Sequence, residues 1–508
     1  MKKKVKKVVV NFIEIIIYNI LTSKQRRFIL SLVPTRFKNA IKKAAKVGNK
    51  QKKIKKVEDI KYKLRNLGFE EKALEDLKNI CLETNDMFTK KLTAWEIALW
   101  YSNQQTVEGA RKSLEYLSIV KENESDSERL REIAIIEAEN VCFVEGKKAA
   151  NKVVSEIMQN KKQQQPDLFL AAANTEELLI DRLNWINKVF DYYKLSKVEL
   201  IESKNDVDPY DLLSTVNTEF VNKANSNEPK VTVIIPVFNA AEVIKTSLKS
   251  ILSQSWSNLE VIVVDDCSSD NTVNIVKEMQ YDDKRIKLMK TETNGGAYVA
   301  RNLAMQHATG EFVTINDADD WSHCEKIKIQ ATYLVNNPNV IGNTSQQARA
   351  TEKLEFYRRG KPGLYIFSNM SSFMFRRKKV MDKIGFWDSV RFGGDSEYIK
   401  RIKLVFGEDS IKELETGPLS FQRQSEFSLT GSSSFGFPGY FMGARREYLE
   451  AQTYYHKNSE NLYYEFPQRK RPFAIPEPML PERRPKGETR HFDIIIVSDF
   501  RLDGGSTL

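Results

Sequence analysis

Apolar positions along the chain follow two different rhythms. From residue 57 to about 195 they recur at spacings of three and four, as in Trp95, Ala98, Leu99 and again in Leu130, Ile133, Ala134, Ala138, Val141. This spacing predicts amphipathic helices throughout. Breaks fall near Asn103, at Asn123-Glu-Ser-Asp126, at Gly146 and at Gln163-Gln-Gln-Pro166. From residue 229 the rhythm changes to short runs of β-branched residues at 231–235, 261–264 and 312–315. Runs this short and this rich in Val and Ile predict buried parallel strands. The stretch 205–228 between the two regions is polar and reads as a linker. Past Arg445, residues 446–487 gather prolines at 467, 472, 476, 478, 481 and 485 among charges, which predicts an extended linker. At 491–499 a last β-branched run reads as a strand, followed by the turn Asp503-Gly-Gly505.

The pattern therefore divides the chain at 1–56, 57–204, 205–228, 229–445, 446–487 and 488–508. Within 57–204 the segments 108–117 and 145–154 look alike, at an offset of roughly one helix pair. This region resembles a degenerate tetratricopeptide array. A groove for a protein partner is one reading, and a plain structural helical domain is the simpler one, since stacked repeats pack on each other by default. The strand at 491–499 resembles the opening of a GT-B type glycosyltransferase domain, which leads us to expect a fragment of a longer bifunctional protein.

Charge sharpens the picture at one end. The 508 residues carry a net charge of +11, yet residues 1–65 hold 21 Lys and Arg against only Glu14, Glu58 and Asp59. The rest of the chain is net acidic, so nothing here indicates a nucleic-acid-binding body. Residues 8–21 are apolar but interrupted by Asn11, Glu14 and Asn19. Fourteen helical residues span roughly 21 Å, short of a hydrocarbon core of ~30 Å. A basic helix lying on an anionic membrane surface fits better, which predicts a cytoplasmic protein peripheral to the inner face of the plasma membrane. The four cysteines show no metal spacing and read as reduced thiols.

The candidate chemistry sits just past the β-branched runs. Asp265-Asp-Cys-Ser-Ser-Asp-Asn-Thr272 follows the second and Asp317-Ala-Asp-Asp-Trp321 the third. An open α/β sheet places its ligand beyond the carboxyl ends of its strands. Negative charge there repels a bare phosphate, and a hard divalent cation with oxygen ligands removes the conflict.

Five motifs in order resemble the family 2 glycosyltransferases, which have the GT-A fold, an α/β Rossmann-like, mostly parallel sheet. They are Pro236-Val-Phe-Asn239, the segment 265–272, Asn294-Gly-Gly-Ala-Tyr-Val-Ala-Arg-Asn302, the Asp-x-Asp pair Asp317 and Asp319, and Gly394-Asp395. The likeness covers about residues 229–440. It implies a GT-A catalytic domain preceded by a helical repeat-like domain. It also implies an inverting, metal-dependent transfer from a nucleotide sugar, a UDP-sugar, to a glycan or lipid-linked glycan such as capsule or lipopolysaccharide.

The resemblance also implies roles. Asp319 and Asp317 would hold Mn2+ or Mg2+, with Asp317 more often facing the ribose or sugar. Pro236, Phe238, Asn239, Asp265, Asp266, Arg301, Asp317, Asp320 and Trp321 would line the donor site. Asp395 would be the general base. Ser268 and Asp270 read better as helix caps. The family often supplies a histidine as third metal ligand, and here Gln424 in Phe421-Gln-Arg-Gln424 takes its place. An amide oxygen is a weaker ligand than imidazole, which favours magnesium. His456 is an alternative ligand, although a lone histidine more often lies on a polar surface. Gly394 stands where the family usually has Glu. Two other readings remain: a nucleotidyltransferase, which would want a glycine- and lysine-rich loop where Phe238-Asn-Ala-Ala241 stands, and a non-catalytic helical scaffold carrying a degenerate transferase domain.

Overall fold

The computed structural model describes residues 49–203, 206–216, 228–358, 361–424 and 443–481. The basic end up to residue 48 and everything after 481, including the strand expected at 491–499, lie outside the described residues. The chain forms two compact units. One holds the residues up to Trp185 together with 358–364, and the other holds the remainder.

The first unit is helical, as the spacing predicts. It contains α1 (Asn49–Asn66), α2 (Glu70–Glu83), α3 (Met87–Ser102), α4 (Val107–Lys121), α5 (Ser127–Glu145), α6 (Lys147–Met158), α7 (Pro166–Thr175) and the start of α8 (Leu179–Tyr193). The breaks are caps. Thr106 accepts from the Gly109 amide, Asp126 accepts from the amides of Glu128 and Arg129, and Gly146 closes α5 at φ +90°. Leu77, Ala94, Ile97, Ala98 and Ile136 meet in its core. Among the described residues no helix is long and apolar enough to cross a membrane.

The second unit is α/β. After a short antiparallel pair, β1 (Val198–Leu200) with β2 (Leu213–Thr215), it builds one ten-stranded mixed sheet. Its parallel half is β5 (Ile286–Lys290), β4 (Leu259–Asp265), β3 (Val231–Val237) and β6 (Phe312–Ile315), in that spatial order. The order continues through β11 (Met374–Arg376), β8 (Gly342–Ala350), β12 (Ile411–Arg423) and β7 (Trp321–Ser322), with β9 (Phe356–Tyr357) and β10 (Phe367–Ser368) paired on β8. β6 runs antiparallel to β11, which ends the run of four parallel strands, and β8 and β12 beyond it pair in parallel again.

Every residue of β3 and β4 is buried, because helices cover both faces. Val233, Ile235, Val261 and Val263 pack with α9 (Ile244–Leu252), α10 (Thr272–Asp282) and α12 (Lys326–Asn336). Ile234, Ile262 and Val264 face α11 (Ala297–His307), α13 (Arg377–Ile384) and α14 (Gly394–Phe406). The α/β expectation holds.

Both expected linkers carry structure in their described parts. In 205–228, Pro209–Leu212 form a turn, β2 follows, and Tyr210 is fully buried. In 446–487, α15 (Ala444–Asn458) is a helix, and the proline-rich strap beyond it buries Tyr464 and Met479 and packs Phe466, Phe473 and Ile475 on the sheet core. Proline fixes an extended path without forbidding burial of the aromatic residues between. Arg471 pairs with the buried Asp388 at 2.5 Å. His456 is buried too, its Nε2 3.0 Å from Glu397, so it is neither a surface residue nor near the acidic turns as a ligand.

Candidate active site

The carboxyl ends of β3, β4 and β6 bring the expected residues to one edge of the sheet. Past β3, Pro236 is buried and the Phe238 ring is 51% exposed. Asn239 takes a left-handed φ of +48°. Its side chain accepts from the Ser269 amide, and its own amide donates to Ser268 Oγ. The first loop is thereby clipped to the second. Asp270 accepts from the Thr272 and Ala241 amides, which is the capping role expected of it.

Asp265 and Asp266 lie buried past β4. Asp266 is saturated. It accepts from Thr291 Oγ1 at 2.9 Å, from the Gly295 amide at 3.0 Å and from the Gly296 amide at 2.7 Å. It therefore organises the glycine turn that opens α11. Asp265 accepts from the Ser268 amide at one oxygen, while its other oxygen is buried without a hydrogen bond, 3.8 Å from the Lys290 ammonium.

The turn after β6 is poorer in donors. Asn316 fixes its base through Ser247, Ser322 and Lys326. Asp317 accepts from Arg301 at 3.1 Å at one oxygen. The Asp319 carboxylate is in no ion pair among the described residues, and burial beside Asp317 lifts it to about 6. Asp320 is held far above the ordinary carboxylate range by burial and by its two acidic neighbours, with Lys326 opposing. The same burial pushes the Lys326 ammonium down to about 8. An all-oxygen donor set that repels itself fits a hard divalent cation, and Asp319 with the open side of Asp317 would hold it.

Gln424 is brought to the same region but is engaged elsewhere. Its side-chain oxygen receives the Tyr357 hydroxyl and lies 3.4 Å from Arg349. The Trp321 indole N–H donates to the Leu213 carbonyl, so this side chain packs within the protein. Among the described residues one other group has metal-ligand types, His323, Cys324 and Glu325. There both His323 nitrogens meet backbone groups, of Ser196 and Glu325.

Asp395 lies in the first turn of α14, whose cap Gly393 takes φ +77°. Tyr298 donates to it at 3.0 Å and Arg301 at 2.5 Å. Burial raises the Asp395 carboxyl, and Arg301 pulls it back. Arg301, 3% exposed, thus bridges Asp395 to Asp317. Tyr298 also explains Gly394. A Cβ on Gly394 would stand 2.9 Å from the Tyr298 ring.

Sequence reasoning passed over Tyr298, Arg423, Tyr210 and Asp211. Tyr298 and Arg423 sit inside quoted motifs, and a buried-site reading of those motifs would have caught them. Tyr210 and Asp211 gave no signal beyond an aromatic and an acid in a polar stretch.

Known proteins share part of this chain. Residues 232–400 match the family described as glycosyl transferase family 2. A putative teichuronic acid biosynthesis glycosyltransferase, TuaG of Bacillus subtilis (strain 168), is 39% identical over 21% of this chain and 43% of its own length. The Escherichia coli UDP-Glc:alpha-D-GlcNAc-diphosphoundecaprenol beta-1,3-glucosyltransferase WfgD is 39% identical over 21% of this chain and 42% of its own. The chain thus spans less than half the length of these curated relatives. The crystal structure of S. aureus TarS 1-349 in complex with UDP matches with 25% identity and a TM-score of 0.33, over 39% of this chain and 61% of that one.

Proposed function

Because residues 232–400 match the family described as glycosyl transferase family 2, we propose that the chain moves a sugar from a UDP-sugar onto a growing cell-surface glycan in one inverting displacement. The observation that carries this reading is the Arg301 bridge, which joins Asp395 to Asp317, two residues before Asp319. A divalent cation bound there supplies Lewis-acid neutralisation of the departing diphosphate. Pro236, Phe238, Asn239, Asp265 and Asp266 line the nucleotide end of the cleft, with the Asp266-bound glycine turn as its wall. Asp395 takes the proton of the acceptor hydroxyl. The acceptor oxygen bonds to the anomeric carbon as the bond to the diphosphate oxygen breaks, and UDP leaves. Arg301 keeps Asp395 ionised for this step and in register with the donor.

The relatives named above support the donor and acceptor classes. WfgD is named for UDP-Glc and a diphosphoundecaprenol-linked acceptor, and TuaG for teichuronic acid biosynthesis. The basic residues 1–56 would hold the chain on an anionic membrane surface near such an acceptor. The helical unit would present a surface to a protein partner.

A thermal-shift screen of UDP-sugars with Mn2+ or Mg2+, followed by assay of UDP release, tests the reading. One UDP-sugar should raise the melting temperature only with metal, and its product should show an inverted anomeric centre. Full activity in EDTA overturns the metal, and a retained anomeric configuration overturns the single displacement.

A further inference from the structure

The geometry points to Tyr210 and Asp211, which precede the matched family domain, as positioning residues that fix the Asp317–Trp321 turn for its cation. The inference rests on the metal reading above and extends it to residues that reading does not use.

Tyr210 is fully buried. Its hydroxyl accepts from the Trp321 amide at 3.0 Å, donates to the Phe421 carbonyl, and lies 3.4 Å from the Asp319 carbonyl. One oxygen therefore joins the backbone on both sides of Asp320 to the strand β12. The Tyr210 amide is itself anchored on the Glu352 carbonyl at 3.0 Å. Two further bonds repeat the pattern: the Trp321 indole donates to the Leu213 carbonyl, and the Cys324 amide lies 3.4 Å from Thr215 Oγ1.

Asp211 does the same from the side. It receives the Arg423 guanidinium through both terminal nitrogens and the Thr246 hydroxyl. The Arg423 plane lies over the Tyr210 ring at 4.2 Å, and its amide donates to Asp320 at 3.3 Å. Arg423 is 3% exposed on its side chain, so its place is set by these partners.

Asp317 and Asp319 repel each other, and among the described residues Asp319 is in no ion pair. The 209–215 segment holds the backbone of this turn from outside, alongside Ser247 and Asn316, which bond the Asp317 and Asp320 carbonyls. The separation of these two residues decides how well a cation with fixed oxygen distances is bound.

The test uses the full chain with Mn2+ alone as probe, read by electron paramagnetic resonance titration, and steady-state kinetics beside it. Tyr210→Phe keeps the buried ring and removes the hydroxyl. It should weaken Mn2+ binding about tenfold, raise the Mn2+ concentration needed for half-maximal turnover to match, and leave kcat at saturating metal within about threefold. Asp211→Asn should weaken binding about threefold to tenfold, and Asp211→Glu should recover part of it. If Tyr210→Phe does not fold, the Asp211 pair decides. Wild-type Mn2+ affinity in Tyr210→Phe and Asp211→Asn overturns the inference when Asp319→Ala has lost Mn2+. Wild-type affinity in Asp319→Ala overturns the metal reading itself.

Discussion

Two acidic turns leave the same sheet from the strands on either side of β3, and they treat their carboxylates in opposite ways. Past β4, Asp266 accepts three hydrogen bonds within 3.0 Å and shapes the turn at Gly295 and Gly296. Past β6, Asp319 is in no ion pair among the described residues and sits beside Asp317 and Asp320. A carboxylate with three donors is a finished structural element. A half-buried carboxylate with like charges around it is costly unless something else arrives. Position beyond a parallel strand is shared, so what separates scaffold from ligand site is the count of donors around each oxygen.

The largest expected effect breaks the comparison at its unfinished side. Asp319→Asn should lower turnover about a thousandfold, the scale of several kcal/mol of lost cation stabilisation. The same variant without metal should melt no lower than wild type, since a repulsive charge has gone. A marked drop in its melting temperature would show that Asp319 is structural after all. Next comes the base. Asp395→Asn should lower kcat about a hundredfold and leave donor affinity within threefold; an equal loss of donor affinity, measured by calorimetry, would reassign Asp395 to binding.

On the finished side, Asp266→Asn should destabilise the protein by about 1–3 kcal/mol, because one of its oxygens becomes a donor facing amide N–H groups. Its melting temperature should fall while the Mn2+-induced shift persists. The smallest effect is a pH dependence. The Asp319 carboxyl is raised to about 6 from an ordinary value of 3.8, so protonation favours the folded, metal-free chain. That contribution is complete below the ordinary value and is lost as pH rises through 6. Metal uptake needs the ionised form and runs the other way. Melting curves with and without Mn2+ should show a larger metal-induced shift at pH 7.5 than at pH 5.5, and an equal shift at both would remove Asp319 from the cation site.

The contrast also shows what a sequence makes legible. The strands and both turns stand out because runs such as 231–235 are β-branched and fully buried, and acids at their ends break the pattern abruptly. The opposite states of Asp266 and Asp319 do not stand out, since the donors to Asp266 come from residues 25 to 30 positions away. Gln424 was legible as a polar residue near the site, but its partners Tyr357 and Arg349 arrive from β9 and β8. Tyr210 and the proline-rich strap were read as linker for the same reason. Neither has periodicity, and both earn their burial from distant surfaces.

Tyr298 and Gly394 share one volume, although 95 residues separate them along the chain. The hydroxyl holds Asp395, and the ring leaves no space for a Cβ at Gly394. The two positions are therefore not free to drift independently. A lineage that gains a side chain at 394 must first shrink 298, and passes through a form in which Asp395 has lost its tyrosine. A Gly394→Glu change alone should be crippled, and the same change in a Tyr298→Ser background less so.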